Sequence, residues 1–269
     1  MAVELVFEKR PKVVLALIDS LLMIKRSSMH ILRNRDQLLG TFFQPIMFLV
    51  LFASVFGGAI SQALPNGVNY LDFLMAGIIV QTLAFGSTTT AIAVANDMQK
   101  GIIDRFRSLP MSNLAVLNGH AISDLFRNTL STVVMILAGL VIGFRSSASF
   151  TDWLMIAGII LLFTLAFSWL SAIVGVYAKS VEGVQWLTFI IVFPLTFAST
   201  AFVPGDSMNP VLKAFAENQP ITHIVEAVRA LMLGMPIGNH GWLAVAWSLA
   251  ILVVSVPLAA YLFRKKTTS

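Results

Sequence analysis

Polar side chains recur at helical spacing in the middle of a chain that is otherwise rich in apolar residues. The positions follow the series i, i+3, i+4, i+7, i+8 and i+11, which places them on one face of a helix: His120, Ser123, Asp124, Arg127, Asn128 and Ser131. Asp124 and Arg127 can pair there as opposite charges. An arginine at the centre of a membrane helix costs about 2.5–3.5 kcal/mol, so we expect this face to contact protein or water rather than lipid.

Two interpretations of this face are open from the sequence. In the first, His120, Asp124 and Arg127 line the inner mouth of a substrate path or pair neighbouring helices. In the second, the polar part of the helix, which we expect to begin near Leu114, projects into the cytosol, where polarity costs little. We favour the second interpretation because residues 125–144 alone are long enough to span a membrane.

A second group of charged residues lies in the segment GIIDRFRSLPMS, residues 101–112. Four apolar residues in and just before it are spaced 4, 4 and 3 apart, as on one face of a helix: Met98, Ile102, Phe106 and Leu109. Asp97 is placed as an N-cap, and Pro110 stops the helix. The pattern predicts a short amphipathic helix over residues 97–110 on the cytoplasmic side, where a partner docks.

The sequence shows no residue set that is typical of an enzyme active site. Because it contains no cysteine, it forms neither a disulfide nor a thiolate metal site. The stretch YAKS at residues 177–180 lacks the glycine before its lysine that a phosphate-binding loop needs. His223, Glu226 and Arg229 have no nucleophile near them and are interpreted as hydrogen-bonding residues. We expect no catalytic residue, metal or cofactor on this chain, so its energy comes from a partner or an ion gradient.

The apolar residues occur in long blocks rather than in narrow helical stripes. Hydrophobic residues make up 57% of the 269 residues, charged residues only 12%, and the mean hydropathy is +0.85; soluble domains have about 25% charged residues. Six blocks have the roughly 20 residues that a membrane helix needs: residues 41–60, 70–95, 125–144, 152–177, 184–203 and 241–263. Because backbone polar groups in lipid must be satisfied within the segment, these blocks are predicted helices. Residues 1–269 are therefore predicted to form a single all-α transmembrane domain.

Basic residues set the predicted orientation of these six spans. With the N-terminus inside, fourteen of the 18 Lys and Arg residues fall in inner segments, three in outer segments, and Arg127 near the start of a span. This distribution follows the positive-inside rule and places both termini in the cytoplasm. The net charge of +5 is explained by this topology and by anionic lipid headgroups, so we expect no nucleic-acid partner.

Two segments outside the spans are predicted to form amphipathic helices. Apolar residues at helical spacing within residues 12–35 predict a helix that lies in the cytoplasmic membrane interface. Its basic residues include Lys25, Arg26 and Arg33. In residues 204–240, turn signals and an i, i+3, i+4, i+7 pattern after Pro220 predict two short helices at the outer face. These helices either cap an exit path or fill a gap between spans.

Three stretches of the sequence resemble type-2 ABC exporter permeases, and among these the daunorubicin/doxorubicin-resistance permeases. They are QPIMFLVLFASVFGGAI in the first span, NDMQKGIIDRFRSLPMSNLAVLNGHAISDLFRNTLSTVVMILAGLVIGFR in the middle, and FVPGDSMNPVLKAFAENQPITHIVEAVRALMLG before the last span. The resemblance extends from about residue 30 to residue 263. The two longer motifs, at this spacing and combined with six spans, make the resemblance specific.

The resemblance implies a coupling helix between spans two and three, seated in a groove of a separate ATP-binding subunit. By position, its residues are Gly101, Arg105, Phe106, Arg107, Ser108, Pro110 and Met111. The helix at residues 12–35 would also contact that subunit. A second, smaller cytoplasmic contact would include Lys179, Ser180 and Glu182. One residue departs from the wider family: Gln99 stands where a glutamate is common, two residues before Gly101.

The function that the resemblance implies is the non-catalytic, membrane-spanning subunit of an ATP-driven exporter in the bacterial plasma (inner) membrane. Two copies, or one copy and a paralogous permease, would pair with two ATP-binding subunits that bind ATP and Mg²⁺. The cargo would be an amphipathic drug-like or lipid-like molecule, or alternatively a lipid-linked polysaccharide or teichoic-acid precursor. A second alternative is an ion-driven carrier or a membrane scaffold without an ATPase. Against a carrier, Asp72 and Asp152 lie at span edges, and the halves are not repeated.

Overall fold

A computed structural model describes residues 35–64, 68–100, 113–178 and 180–268. These residues form helices and the turns between them, with no β-strand among them. The α-helices are α1 (Arg35–Ile60), α2 (Tyr70–Gly86), α3 (Thr88–Gln99), α4 (Asn113–Ile142), α5 (Phe150–Tyr177), α6 (Val181–Phe197), α7 (Pro210–Asn218), α8 (Pro220–Met232) and α9 (His240–Thr268). Short 3₁₀ turns lie at Ser61–Ala63 and Gly205–Ser207. An all-helical architecture is what long apolar blocks dictate, because a helix satisfies its own backbone in lipid.

Five helical segments of the described chain are long and apolar enough to cross a membrane: Phe42–Ala63, Tyr70–Gln99, Ala115–Ile142, Phe150–Tyr177 and His240–Lys266. They correspond to the predicted spans one to four and six. The predicted fifth span, residues 184–203, is placed too far along the chain. Its helix, α6, runs from Val181 to Phe197 and has 17 residues, which is about 26 Å at 1.5 Å per residue.

The fifth helix ends early because local side chains bond the backbone beyond it. The hydroxyl of Ser199 donates to the carbonyl of Thr196 at 2.6 Å and accepts from the amide of Ala201 at 3.1 Å. Such side chain–backbone bonds compete with the helical pattern. The chain therefore turns at residues 198–203 and reaches the outer helices without extending α6.

Two of the membrane-crossing segments are central, and the others surround them. In the most apolar 18-residue stretch of each segment, the buried share is 61% for Tyr70–Gln99 and 67% for Phe150–Tyr177. For Phe42–Ala63 it is only 11%. α5 packs against α9, α4, α3 and α8, and α2 packs against α1, α4 and α8. α1 carries exposed apolar side chains, such as Phe43 and Val55.

Two glycines let the central helices approach neighbouring backbone closely. A Cβ atom at Gly77 in α2 would lie 2.0 Å from the carbonyl oxygen of Ala201, and one at Gly175 in α5 would lie 2.4 Å from that of Ala91. Neither position accepts a larger residue unless backbone moves. Small residues commonly permit this kind of helix association in membranes. The contacts fix α5 against α3, and α2 against the connection that follows α6.

The second span, predicted as one helix, is interrupted near its centre. α2 ends at Gly86 and α3 begins at Thr88, with Ser87 between them. The amide of Thr90 donates to the carbonyl of Ser87, at 3.1 Å, rather than following the i→i−4 pattern to Gly86. The carbonyl of Gly86 is therefore available to donors from other parts of the protein.

Residues 204–240 contain the two short outer helices that the turn signals predict. α7 begins at Pro210 and α8 at Pro220, and proline suits the first turn of a helix because that turn needs no amide donor. The side chain of Gln219 caps α8 by accepting from the amide of Ile221 at 3.0 Å. Gly234, with φ +64°, follows α8 and ends it. α8 is buried between α2, α5 and α9.

The structure corrects one predicted helix start and refines another. The predicted N-cap of a helix over residues 97–110, Asp97, lies inside α3, because α3 continues the second span as far as Gln99. The rest of that predicted helix lies outside the described residues, as do residues 12–34 of the predicted interface helix. α4 begins at Asn113, next to the predicted start, and stops at Ile142, where Gly143 adopts φ +126°.

Candidate functional site

The polar face of α4 is buried against two other helices rather than exposed. Its centre is the carboxylate of Asp124, which accepts hydrogen bonds from side chains on three helices. The donors are the hydroxyl of Thr89 in α3 at 3.0 Å, the hydroxyl of Ser168 in α5 at 2.5 Å, the amide nitrogen of Asn128 at 3.2 Å, and the guanidinium of Arg127. We call these five residues the inner polar cluster. Its hydrogen bonds join α4 to both α3 and α5.

Arg127 connects the inner polar cluster to the break in the second span. Its Nη2 donates to the carbonyl oxygen of Gly86 at 2.5 Å and also to Asp124. The hydroxyl of Thr89 lies 3.0 Å from the same carbonyl, so its single proton is shared between this oxygen and Asp124. A side chain at Gly86 would displace Asn128, because a Cβ there would lie 2.3 Å from Oδ1 of that residue. A glycine at the break therefore suits its surroundings, because its carbonyl is bonded by Arg127 and the side chain of Asn128 lies against it.

The cluster is electrically balanced although it is removed from water. Asp124 and Arg127 are each only 2% exposed, and their opposite charges are in direct contact. Burial of either charge alone would be costly, whereas a paired and hydrogen-bonded couple is tolerated within a bundle of membrane helices. Because these side chains are buried, the favoured interpretation, in which the polar part of α4 projects into the cytosol, does not describe their surroundings.

A second polar contact ties the inner ends of α3 and α4 together. Nε2 of His120 lies 2.9 Å from Oδ2 of Asp97, and both side chains are about nine-tenths buried, at 10% exposure each. Residues 101–112, which carry the predicted coupling residues, connect these two helices. The Asp97–His120 contact therefore stands at the base of that connection and fixes the distance between its two ends.

The connection between α5 and α6 is held by side chains at both helix ends. Ser180 caps α6 by accepting from the amide of Gly183 at 3.0 Å. Lys266, near the end of α9, donates to the carbonyl of Val176 at 2.6 Å. Its positive charge stands at the negative end of α5, where a cation is favourable. Glu182 lies in the first turn of α6, where an acidic residue is likewise favourable.

At the end of the bundle where α2 begins, Arg229 of α8 bonds several backbone carbonyls. It donates from Nε to the carbonyl of Phe73 at 3.0 Å and from Nη2 to that of Thr200 at 2.8 Å. Its Nη1 donates to the carboxylate of Glu226 at 2.6 Å. Nearby, the Nδ1 atoms of His223 and His240 are 3.1 Å apart and join α8 to α9. These residues act as hydrogen-bonding groups, as the sequence suggested for His223, Glu226 and Arg229.

Only part of the predicted site can be located in the described chain. His120, Asp124 and Arg127 share one face of α4, while Ser180 and Glu182 lie at the start of α6. The predicted coupling residues from Gly101 to Met111 lie outside the described residues, together with Lys25, Arg26, Arg33 and Lys179. Among the described residues, no group of three or more His, Asp or Glu side chains is arranged to hold a metal ion.

Sequence reasoning missed one residue of the cluster, Ser168, and the glycine beside the cluster, Gly86. Gly86 gives a weak signal, because it precedes the polar run Ser87 to Thr90 in a block that is otherwise apolar. Such hydroxyl residues bond local backbone and favour helix interruptions. Ser168 gives no signal of its own, since its role depends on Asp124 in another helix.

The long apolar helices, with buried polar residues between them, define a multi-pass membrane protein. The family model for the ABC-2 type transporter matches residues 20–233, and the chain belongs to this family. That match includes α1 to α8, and with them the inner polar cluster and the Asp97–His120 contact.

Several relatives carry transport names. The chain is 30% identical over 258 residues to "Daunorubicin resistance ABC transporter permease protein DrrB1" of Streptomyces coeruleorubidus, covering 96% of this chain and 90% of that protein. It is 26% identical to "Probable doxorubicin resistance ABC transporter permease protein DrrC" of Mycobacterium tuberculosis (strain ATCC 25618 / H37Rv), covering 84% and 82%. It is also 26% identical to "Nodulation protein J" of Rhizobium leguminosarum bv. trifolii, covering 74% and 75%.

Proposed function

We propose that this chain is the membrane-spanning subunit of an exporter that is driven by a separate ATP-binding subunit. The observation that carries the proposal is the position of residues 101–112. They connect α3 and α4, and the contact between Asp97 and His120 ties these helices at the base of the connection. A force applied to residues 101–112 is therefore delivered to the second and third spans together.

In this mechanism, ATP binding closes two partner subunits, and their movement displaces residues 101–112. The docking residues are Gly101, Arg105, Phe106, Arg107, Ser108, Pro110 and Met111. The displacement passes along α3 and α4 to the inner polar cluster, where Asp124 and Ser168 join α4 to α5. Since α5 is one of the two central segments, its movement shifts the packing of the whole bundle.

Other inner segments would complete the contact with the ATP-binding subunit. The helix at residues 12–35 would lie in the membrane interface beside it, and Lys25, Arg26 and Arg33 would face anionic lipid or the partner. The turn with Lys179, Ser180 and Glu182 would form the smaller second contact. Lys266 supports that turn by bonding the end of α5 at the carbonyl of Val176.

The arrangement in the membrane follows the distribution of charge. Six crossings, with α6 as the short fifth one, place both termini in the cytoplasm of a bacterium whose plasma (inner) membrane holds the protein. Two copies of the chain, or one copy and a paralogue, assemble with two ATP-binding subunits. ATP and Mg²⁺ are bound by those subunits, because the stretch at residues 177–180 lacks the glycine of a phosphate-binding loop.

The proposed cargo is an amphipathic drug-like or lipid-like molecule. Its support is the 30% identity, over 96% of this chain, to a protein named for daunorubicin resistance. A lipid-linked polysaccharide or teichoic-acid precursor is the alternative cargo. Export assays that offer a labelled anthracycline and a labelled lipid-linked sugar to the same vesicles distinguish the two.

Substitution of the docking segment tests the proposal. Gly101→Asp and Arg105→Glu each place an acidic side chain in the segment that contacts the ATP-binding subunit, and we expect at least a tenfold loss of transport. The same change on the outer face, Lys213→Glu, serves as the matched control and should retain transport. Transport is measured as efflux from cells that coexpress the ATP-binding subunit, and the amount of protein in the membrane is measured in parallel. Normal efflux by both docking variants would contradict the proposal.

A further inference from the structure

Five buried polar atoms at or beside the break in the second span have no hydrogen-bond partner within the described chain. Two are the hydroxyls of Thr88 and Thr90 in α3, and three belong to α4 and α5: Nε of Arg127, Oδ1 of Asn128 and Oγ1 of Thr164. The three side chains are at most 2% exposed. Folded proteins satisfy about 90% or more of such buried atoms, either with protein groups or with ordered water. A group of three in one place therefore points to a ligand rather than to chance.

Helix geometry places the last two of these atoms opposite each other. Asp124 in α4 and Ser168 in α5 are hydrogen-bonded at 2.5 Å, which fixes the register between the two helices. α4 and α5 are consecutive helices joined by the short connection at residues 143–149, so they run in opposite directions. Asn128 follows Asp124 by one turn, and Thr164 precedes Ser168 by one turn, so both lie one turn further toward the outer face.

The third atom, Nε of Arg127, belongs to the same site. Nη2 of this guanidinium is held on the carbonyl of Gly86 at 2.5 Å. Oδ1 of Asn128 points at Gly86 as well, since a Cβ there would lie 2.3 Å from it. Gly86 is therefore the common neighbour of Arg127 and Asn128.

The chemistry of these atoms selects a small neutral ligand. Arg127 and Asp124 are paired, so the site carries no net charge that would attract an ion. Nε of Arg127 is a donor, Oδ1 of Asn128 is an acceptor, and the hydroxyl of Thr164 is both. A buried water molecule typically makes about three hydrogen bonds and uses both kinds of partner.

We propose that Arg127, Asn128 and Thr164 bind water beside the break at Gly86, inside the membrane-spanning bundle. This inference is independent of the cargo and of the ATP-binding subunit. Bound water supplies an alternative partner for the carbonyl of Gly86 and for the guanidinium. The two halves of the second span can then move relative to α4 without leaving a polar group unsatisfied in a medium that has no other water.

Replacement of the hydroxyl at Thr164 by a methyl group tests the proposal thermodynamically. If the hydroxyl bonds water, Thr164→Val loses that bond, and we expect the unfolding midpoint of the full chain in lipid nanodiscs to fall by about 2–4 °C. If the hydroxyl has no water partner, its removal eliminates an unsatisfied buried polar group, and the unfolding midpoint rises. The matched control is Thr132→Val, because that hydroxyl already bonds the carbonyl of Asn128 in its own helix at 2.9 Å. Thr164→Val should fall about as far as this control, and a midpoint for Thr164→Val equal to or above that of the unsubstituted chain overturns the proposal.

A second measurement keeps the test independent of folding of the variant. A cryo-EM map of the unsubstituted chain, at a resolution that shows ordered water, should contain a water peak about 2.7–3.2 Å from at least two of the three atoms. A map in which protein groups bond all three atoms, or in which apolar side chains fill the space, overturns the proposal.

Discussion

The two arginines that are buried in the described chain are held in contrasting ways. Arg229, at the outer face, donates from all three of its nitrogens, and its guanidinium also lies 3.6 Å from the centre of the Phe73 ring. Arg127, in the inner polar cluster, uses a single nitrogen for both Gly86 and Asp124, and its Nε has no partner within the described chain. Both arginines lie where an unsatisfied charge would be costly.

The difference indicates different roles for the two regions. The partners of Arg229 include backbone carbonyls of Phe73 and Thr200, which belong to two separate elements, so the arginine joins the start of α2 to the connection after α6. It works as a fixed structural link. Arg127 bonds the carbonyl of Gly86 at the helix break, and no protein group of the described chain bonds its Nε. Such an arginine can change partners, as a moving element requires.

The largest expected effect is a difference in stability between the two arginine variants. Arg127→Met leaves the carboxylate of Asp124 buried without its opposite charge, and we expect a loss of about 3–5 kcal/mol in the free energy of unfolding. Arg229→Met leaves the carbonyls of Thr200 and Ala201 without their donor, but the carboxylate of Glu226 is partly exposed, so we expect a smaller loss, about 1–3 kcal/mol. Unfolding of the purified variants in detergent measures both. Equal losses, or the reverse order, would remove the distinction between the two regions.

Measurements of transport by the same two arginine variants distinguish the two regions further. Arg127→Met should lower transport per folded molecule by at least tenfold, because the link between α4 and the break in the second span is lost. Arg229→Met should mainly lower the amount of folded protein in the membrane. Efflux divided by the quantity of folded protein separates the two effects.

An intermediate effect is expected from adding a methyl group at two glycines of α2. Gly77→Ala would bring a Cβ within 2.0 Å of backbone at Ala201, in the outer region, so the helix must shift, at a cost of about 1–3 kcal/mol. Gly86→Ala would meet only the side chain of Asn128, which can rotate away. We expect Gly86→Ala to lower the free energy of unfolding less than Gly77→Ala does. We expect it to lower the rate of transport more. A greater loss of stability for Gly86→Ala would show that the inner polar cluster is as rigid as the outer region.

The smallest expected effect is a dependence of stability on pH at the outer face. Burial, followed by the nearby ring of His240, lowers the pKa of His223 below its ordinary value of about 6.5. The unfolded chain therefore binds more protons than the folded chain as the pH falls. The contribution of His223 to stability is complete above about pH 6.5 and declines as the pH falls toward the folded pKa. His223→Gln should flatten this part of the stability profile, measured from pH 7.5 to 5, and an unchanged profile would exclude His223 as its source.

Much of the fold could be predicted from the sequence because membrane helices are set by length and composition. The five long helices, the start of α4 and the two outer helices follow from apolar block length, proline positions and helical spacing. The end of α6 could not be placed, since it depends on how Ser199 bonds its neighbours. The start assigned to Asp97 was wrong, because a local pattern cannot tell whether a helix begins or continues through a charged residue.

The polar face of α4 was predicted, but its surroundings were not. Spacing alone brings His120, Asp124 and Arg127 together, since that depends only on 3.6 residues per turn. What they contact is decided by other helices: Asp97 at the inner end, and Ser168 and the Gly86 carbonyl further along. A single sequence contains no measure of these distances, which come from packing between segments that are far apart in the chain.

The account depends most on residues 101–112 being cytoplasmic and covered by an ATP-binding subunit. The chain contains no cysteine, so Ser108→Cys introduces a unique thiol in this segment. A membrane-impermeant maleimide should leave this thiol unlabelled in intact cells and label it after permeabilisation. Addition of the ATP-binding subunit should then reduce labelling at least tenfold. Labelling in intact cells, or equal labelling with and without that subunit, would contradict the account.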